Sequence, residues 1–304
     1  MKNYINYFYN MIVDNIYYIN EKYIFQSGKQ QYIFKQCNNL NIESYYMELE
    51  SQLSSYGCFH KIILNRNNRV ITTIEGRDYI LLKTSIVSDN TITYNDLKQT
   101  FYVYNIEKLS IINHFPWYTF WKQKIDYMED WLESKKEKYK NTYPWFQFFI
   151  GLSENAVMYA QEIEFSKRVD ECDRLSFQHC RVNRNSTQYD YYDPSNLIVD
   201  HSSRDIGEYI KTSILNGTFN IEEFITYVRN GKFSKYWIKE LYARILFPSF
   251  FFDHMEEIMN TDDHPQPIFT EKYVVAFLNA LRQIGERLNE EYHIPIVNWT
   301  IKKT

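Results

Sequence analysis

The stretch Asn196–Lys211, NLIVDHSSRDIGEYIK, constrains the fold more than any other part of the chain. Leu197, Ile198 and Val199 form a short apolar run that reads as a buried strand. Asp200 stands at its end. A polar loop, His201–Arg204, follows, and Asp205 and Glu208 then have the spacing of a capping box. Beyond them Ile206, Tyr209, Ile210 and Ile214 recur at helical spacing. One carboxylate leaves a strand, and another, five positions on, opens a helix. In isolation the pair reads as a turn residue and a cap. The rest of the chain decides whether it is more.

At 304 residues the chain is at the upper limit for one hydrophobic core, so two lobes are expected. A net charge of -4 supplies no basic field for nucleic acid. Cys37, Cys58, Cys172 and Cys180 form no C-x-x-C pair, which argues against a zinc site and leaves buried free thiols as the expectation. The N-terminal stretch is aromatic but broken by Asn and Asp, unlike a secretory signal. No apolar run reaches membrane-spanning length. A soluble intracellular chain is expected, with no transmembrane segment and no nucleic-acid partner.

Residues 1–85 read as a small β-rich unit. Ile16–Tyr18, Tyr23–Phe25 and Tyr32–Phe34 are strand-like, and the Ser27-Gly28 turn joins the second to the third. Gln26–Gln31 holds one glycine and is no phosphate cradle. Glu43–Tyr56 reads as a helix, with Tyr46, Leu49 and Leu53 on one face. Strands are expected again at Lys61–Leu64, Arg69–Ile74 and Tyr79–Leu82. Residues 86–304 read as a mainly helical lobe. It begins with a polar stretch and a helix over Leu97–Leu109. An amphipathic helix over Trp117–Lys140 follows, with Trp117, Phe120, Trp121, Ile125, Met128, Trp131 and Leu132 on its apolar face. Tyr143-Pro144-Trp145 reads as a break. Helices follow from Gly151, over Phe224–Val228, Tyr236–Phe247, Phe250–Met259 and Tyr273–Leu288. Asp262-Asp263-His264-Pro265 is a loop with metal-ligand residue types, although exposed acidic loops are common.

A strand ending in Lys35, then a helix carrying Glu48 and Glu50, is the layout of a kinase-like small lobe. There a strand lysine contacts nucleotide phosphates and a helix glutamate holds it. Spacing does not choose between Glu48 and Glu50. The plain alternative is that all three are solvated surface groups.

Four further words follow in order: Trp121-Lys122-Gln123-Lys124-Ile125-Asp126-Tyr127-Met128-Glu129 after Trp117, Gly151-Leu152-Ser153-Glu154-Asn155-Ala156, Asp200-His201-Ser202-Ser203-Arg204-Asp205, and Leu241-Tyr242-Ala243-Arg244-Ile245-Leu246-Phe247-Pro248. Together they resemble the endospore coat-associated kinase-like proteins of the CotS/YutH family, nearest its YutH branch. These belong to the aminoglycoside-phosphotransferase and choline-kinase type of fold. The words span residues 117 to 248, and the small lobe matches in layout only. The resemblance implies an α+β, two-lobed kinase-like fold with a small antiparallel β lobe and a larger helical lobe. It also implies a role in sporulation and spore coat assembly, first in the mother-cell cytoplasm and then in the coat, with spore coat proteins as partners. By position, Lys35 resembles the phosphate-contacting lysine and Asp200 the metal-binding aspartate. Asp205 resembles the helix-start aspartate that braces the catalytic loop.

The catalytic loop departs from the pattern. An active member needs His-x-Asp followed by a metal-binding Asn. Here the match is His179-Cys180-Arg181, and a guanidinium cannot take a proton from a hydroxyl. Asn183, Asn185 and Asn196 are off the required spacing. The expectation is a catalytically silent scaffold, a pseudokinase that needs no cofactor. The alternative is an ATP- and Mg-binding switch or an active phosphotransferase that uses Asp190 or Asp193 as its base. In either of those cases Lys35, Glu48 or Glu50, and Asp200 must converge on one nucleotide cleft.

Overall fold

Asn20 and Glu21 both have positive φ, 49° and 62°. Two such residues in a two-residue link make the turn whose twist matches that of the flanking strands. They join β1 (Ile16–Ile19) to β2 (Lys22–Ser27), with Ile16 opposite Phe25 and Ile19 opposite Lys22. Gly28, at φ 61°, turns the chain into β3 (Gln30–Gln36). These elements belong to a computed structural model that describes residues 1–37, 39, 41–86, 89–104, 117–139, 143–165, 170–180, 182, 185–261 and 271–294.

The first compact unit comprises Met1–Asn113, Leu175–Cys180 and Asn185–Val199. It opens with α1 (Lys2–Tyr9), which the sequence reading did not anticipate. Beyond β3 come α2 (Ile42–Leu53), β4 (Lys61–Ile63), β5 (Thr72–Ile74) and β6 (Arg77–Lys83). All the pairings in this sheet are antiparallel, in the order β1-β2-β3-β6-β4, with β5 also on β6. Alternation along β3 sends Phe34 into a core with Ile5, Tyr9, Val13, Phe25, Ile74 and Leu81, while Lys35 points to the opposite face. Burying a side chain such as Phe34 contributes roughly 1.5–3 kcal/mol.

The expected helix over Leu97–Leu109 is not formed in its described part. A capping box between Thr93 and Asp96 starts a short α3 (Tyr94–Leu97) three residues earlier. The chain then turns extended. The Phe101 carbonyl accepts the Phe177 amide at 2.7 Å, and the Val103 amide donates to Leu175 at 3.2 Å. Backbone pairing with β7 (Leu175–His179) has overridden helical propensity there. Residues 105–109 lie outside the described residues, as does the loop at 262–265. Short α6 (Gln188–Tyr191) and a 3₁₀ turn, Pro194–Asn196, lead into β8 (Leu197–His201), which pairs with β7. Amides of the first 100 residues bond to this later segment: His60 donates to the Tyr192 carbonyl at 2.9 Å and Ile92 to that of Ser186 at 3.0 Å. This unit is therefore discontinuous in sequence, unlike the expected division at residue 85.

The second unit is His114–Arg174, Arg181–Arg184 and Asp200–Thr304. Its described helices are α4 (Trp117–Ser134), α5 (Tyr143–Phe165), α7 (Arg204–Leu215), α8 (Ile221–Gly231), α9 (Lys235–Leu246), α10 (Ser249–Thr261) and α11 (Glu271–Tyr292). The stripe on α4 is narrower than its apolar residues imply: Trp121, Ile125, Met128 and Leu132 are buried, whereas Phe120 is exposed. Pro144 does not break a helix. It stands in the first turn of α5, where a missing amide proton costs no intrahelical bond. α9 is buried on nearly every side, Trp237, Ile238, Leu241, Tyr242 and Ile245 included. α7 approaches it closely through Gly207, where a Cβ would lie 3.2 Å from the Cβ of Arg244. No helix among the described residues is long and apolar enough to cross a membrane.

Candidate functional site

In the first unit the candidate lysine has a different partner from either expected glutamate. Lys35 Nζ lies 2.5 Å from Asp193 Oδ2 and 3.4 Å from Ser195 Oγ. Glu50 pairs instead with Lys61 at 3.3 Å, and Glu48 accepts from Gln52 at 3.4 Å. The reason is positional. Asp193 caps the 3₁₀ turn that feeds β8, and its carboxylate is thereby held beside the lysine. Asp193 Oδ1 accepts the Ser195 amide at 2.8 Å and hydroxyl at 2.7 Å. Burial acts to raise the Asp193 carboxyl, but the Lys35 ammonium and the Ser195 bonds outweigh it and hold it below the usual carboxylate range. Burial likewise opposes charge on Lys35, and Asp193 reverses the balance, raising its pKa. Asp190, the other carboxylate read as a candidate base, is paired with Lys22.

His179, at the end of β7, is buried. Its Nε2 lies 2.6 Å from the Tyr191 carbonyl, and its ring stacks on Tyr191 with centroids 4.5 Å apart. Cys180 is exposed, and its amide donates to the Asn196 carbonyl at 3.1 Å. Arg181 lies outside the described residues.

Asp200 belongs to the second unit and has no solvent exposure. Arg244 Nη2, from α9, donates to its Oδ1 at 2.6 Å, and Arg204 Nη1, from the first turn of α7, donates to Oδ2 at 3.2 Å. The His201 amide donates to Oδ1 as well, at 2.6 Å. Trp117 backs this cluster: the guanidinium carbons of Arg204 and Arg244 lie 4.2 and 5.8 Å from its ring centroid. His201 is fully enclosed, with Nδ1 2.8 Å from Ser203 Oγ; burial and the nearby Arg244 charge hold its pKa well below the ordinary value. Glu240, one helical turn before Arg244, is buried too. Burial pushes its carboxyl up to about 7, against the lowering effect of Arg244 and with the help of Asp200.

The capping box read at Asp205 and Glu208 is not formed. Ser203 is the N-cap of α7, and Glu208 instead accepts from Lys211 at 2.7 Å and from Ser249 at 3.0 Å. Asp205 is buried in the first helical turn, where the helix dipole favours a carboxylate.

This arrangement does not fit a divalent cation at Asp200. Both carboxylate oxygens face guanidinium groups, which would repel a cation. Among the described residues no group of three or more His, Cys, Asp or Glu side chains could hold a metal ion. Nor does Lys35 present a free ammonium to a phosphate. Arg204 and Arg244 were not singled out from sequence, although Arg204 stands four residues after Asp200. Nothing local points from Arg244 to a carboxylate 44 positions away.

The family model described as "Spore coat putative kinase YutH" matches residues 2–290. The endospore coat-associated protein YutH of Bacillus subtilis (strain 168) is 24% identical over 286 residues, covering 84% of each chain. Among solved structures, an aminoglycoside phosphotransferase from Alicyclobacillus acidocaldarius is similar with a TM-score of 0.57 and 10% identity, over 94% of this chain and 91% of that one. The ADP and spectinomycin complex of spectinomycin phosphotransferase, APH(9)-Ia, gives 0.56 and 13%, over 93% and 97%. The likeness to both phosphotransferases is one of fold.

Proposed function

The chain belongs to the spore coat YutH family of kinase-like proteins, and from that premise we propose that it acts in the endospore coat as a binding scaffold whose phosphotransferase site has been rebuilt into internal ion pairs. The observation that carries this reading is the double guanidinium clamp on Asp200. In a phosphotransferase of this fold, catalysis rests on positioning and on metal-held charge at the phosphates. Here the carboxylate in the metal position spends its charge on Arg204 and Arg244. The Lys35–Asp193 pair supports the same reading from the other unit, since it neutralises the cation that would meet a phosphate. Asp193, held below the usual carboxylate range, is a weak base and a poor substitute for the missing catalytic aspartate. Coat proteins as partners, and residence in the mother-cell cytoplasm before assembly, are part of this proposal; the spore coat description of the family and of its Bacillus subtilis relative supports the first.

The test is nucleotide binding and turnover by the full chain. Thermal melting with and without ATP and Mg²⁺ is expected to coincide, because a ligand of the native state would raise the midpoint. Labelled ATP is expected to yield no phosphate transfer above buffer, with casein or small alcohols as acceptors. Turnover that survives purification and disappears in Asp200→Asn would overturn the reading. A nucleotide-induced rise in melting temperature without turnover would convert it to a nucleotide-binding switch.

A further inference from the structure

The Asp200 network makes no use of the groove between α4 and α5. Along α4, Lys122, Asp126, Glu129 and Glu133 follow one another at intervals of three and four and share a face. Gln147, Gly151, Glu154, Met158 and Gln161 do the same along α5. Two cavities of about 540 and 360 Å³ lie along these faces, and both are lined by Glu129 and Glu154. The floor is apolar, with Ile125, Leu132, Phe146, Ile150 and Val157. Met158, at 61% exposure, leaves more apolar surface beside it.

The rim is acidic. Asp126, Glu129, Asp130, Glu133 and Glu154 are exposed carboxylates, and Lys122 is the cation among the lining residues. Lys136 answers Glu133 at 3.3 Å. The Glu129 carboxyl is raised by partial burial and by the negative charges of Glu154, Asp126 and Asp130 around it.

Gly151 adds a separate observation. It lies inside α5, where glycine lowers helix stability relative to alanine. Its φ is not positive, and a Cβ built on it would meet nothing within 4 Å. Neither backbone conformation nor packing within the chain calls for glycine there. What it supplies is open floor between the acidic walls.

We propose that this groove docks a basic amphipathic helix of a partner protein, with its apolar stripe over Gly151 and its lysine or arginine side chains against Asp126, Glu129 and Glu154. A helix laid in an apolar groove is a common recognition mode, and complementary rim charge sets its register and speeds encounter. The absence of a side chain at Gly151 lets the partner's backbone come close. This deepens the scaffold reading by naming the kind of partner. Its test needs no nucleotide, so either reading can fail while the other stands.

The probes are three labelled peptides of about 18 residues, long enough for five helical turns. One is an amphipathic Lys/Leu helix, one its Glu/Leu counterpart, and one a Lys/Ser peptide of equal charge. Each is titrated with the full chain by fluorescence anisotropy at about 50 mM and about 300 mM salt, which brackets strong and weak screening. The Lys/Leu peptide is expected to bind at least about tenfold more tightly than either control, and more weakly at the higher salt. Gly151→Leu is expected to weaken it about tenfold with the helical circular dichroism and melting temperature retained. Paired Glu129→Lys and Glu154→Lys changes, on exposed positions that fold readily, are expected to do the same. Equal binding of the Lys/Ser peptide, or displacement by spermine, would reduce the groove to an acidic surface and overturn the proposal. So would no binding, equal binding of the Glu/Leu peptide, or indifference to Gly151→Leu.

Discussion

Two sets of carboxylates in the helical unit are treated in opposite ways. Asp200 is wholly buried and faces two guanidiniums. Asp126, Glu129, Asp130 and Glu154 line an exposed groove where like charges crowd one another. Desolvation explains the contrast. A buried charge costs several kcal/mol unless the chain itself pairs it, whereas an exposed one is paired by water and salt. The Asp200 cluster is electrostatically closed, and the groove is open to a cation from outside. A cationic partner would meet open carboxylates at the proposed groove, whereas the charge of Asp200 is already taken up within the chain.

The sharpest way to break this comparison is Asp200→Ala. It takes the carboxylate away from two buried guanidiniums and is expected to cost about 3–5 kcal/mol in urea unfolding. A loss under about 1 kcal/mol would mean that Asp200 is not the keystone of a closed network. Lys35→Met is the matching change in the first unit, and it leaves Asp193 buried without its cation. A loss of about 3 kcal/mol is expected. Because Asp193 titrates below its unfolded value, its contribution is present above that value, near pH 4, and is lost as pH falls through the folded one. The gap between Lys35→Met and the parent is therefore expected to narrow as pH falls through the folded value.

Glu240 sharpens the comparison from the opposite sign. Its folded value of about 7 lies above the ordinary 4.5, so the native state holds this proton more tightly than the unfolded chain does. The stability it contributes is complete below pH 4.5 and falls as pH rises to about 7. Glu240→Gln is expected to remove that decline and to exceed the parent at pH 8 by on the order of 2–3 kcal/mol. Urea midpoints at pH 5 and pH 8 measure it, and parallel profiles for the two proteins would refute it. The smallest effect belongs to the groove. Gly151→Ala is expected to stabilise the chain by roughly 0.5–1 kcal/mol, because helix propensity improves and the new methyl enters open space. A destabilised variant would show that α5 needs the glycine for its own packing.

Much of the β unit was legible because its signals are local. Ser27-Gly28 marks a turn, and Tyr32–Phe34 and Tyr79–Leu82 fall within the observed β3 and β6. The buried stripe Trp121, Ile125, Met128 and Leu132 on α4 was likewise contained in its helical spacing. α1 was missed because its eight residues bury only Ile5 and Tyr9. The helix read over Leu97–Leu109 gave way where the backbone beyond Leu97 pairs with β7, more than 70 residues later. At the candidate site, Lys35, Asp193, Asp200 and His179 were all picked out as chemistry-bearing residues. The partners of Lys35 and Asp200 were assigned elsewhere or not at all, since no spacing links Lys35 to Asp193 or Asp200 to Arg244.

The sequence by itself determined several of the elements and where charge enters them: a strand with Lys35 near its end and a strand with Asp200 near its end. It also carries the family, whose model matches residues 2–290. Only the tertiary structure decided how each charge is satisfied. A carboxylate in the position of a metal ligand has the same composition and spacing whether a cation or a guanidinium faces it. The helix packing that Gly207 allows brings Arg244 onto Asp200, and that long-range contact distinguishes a closed ion-pair cluster from a metal site.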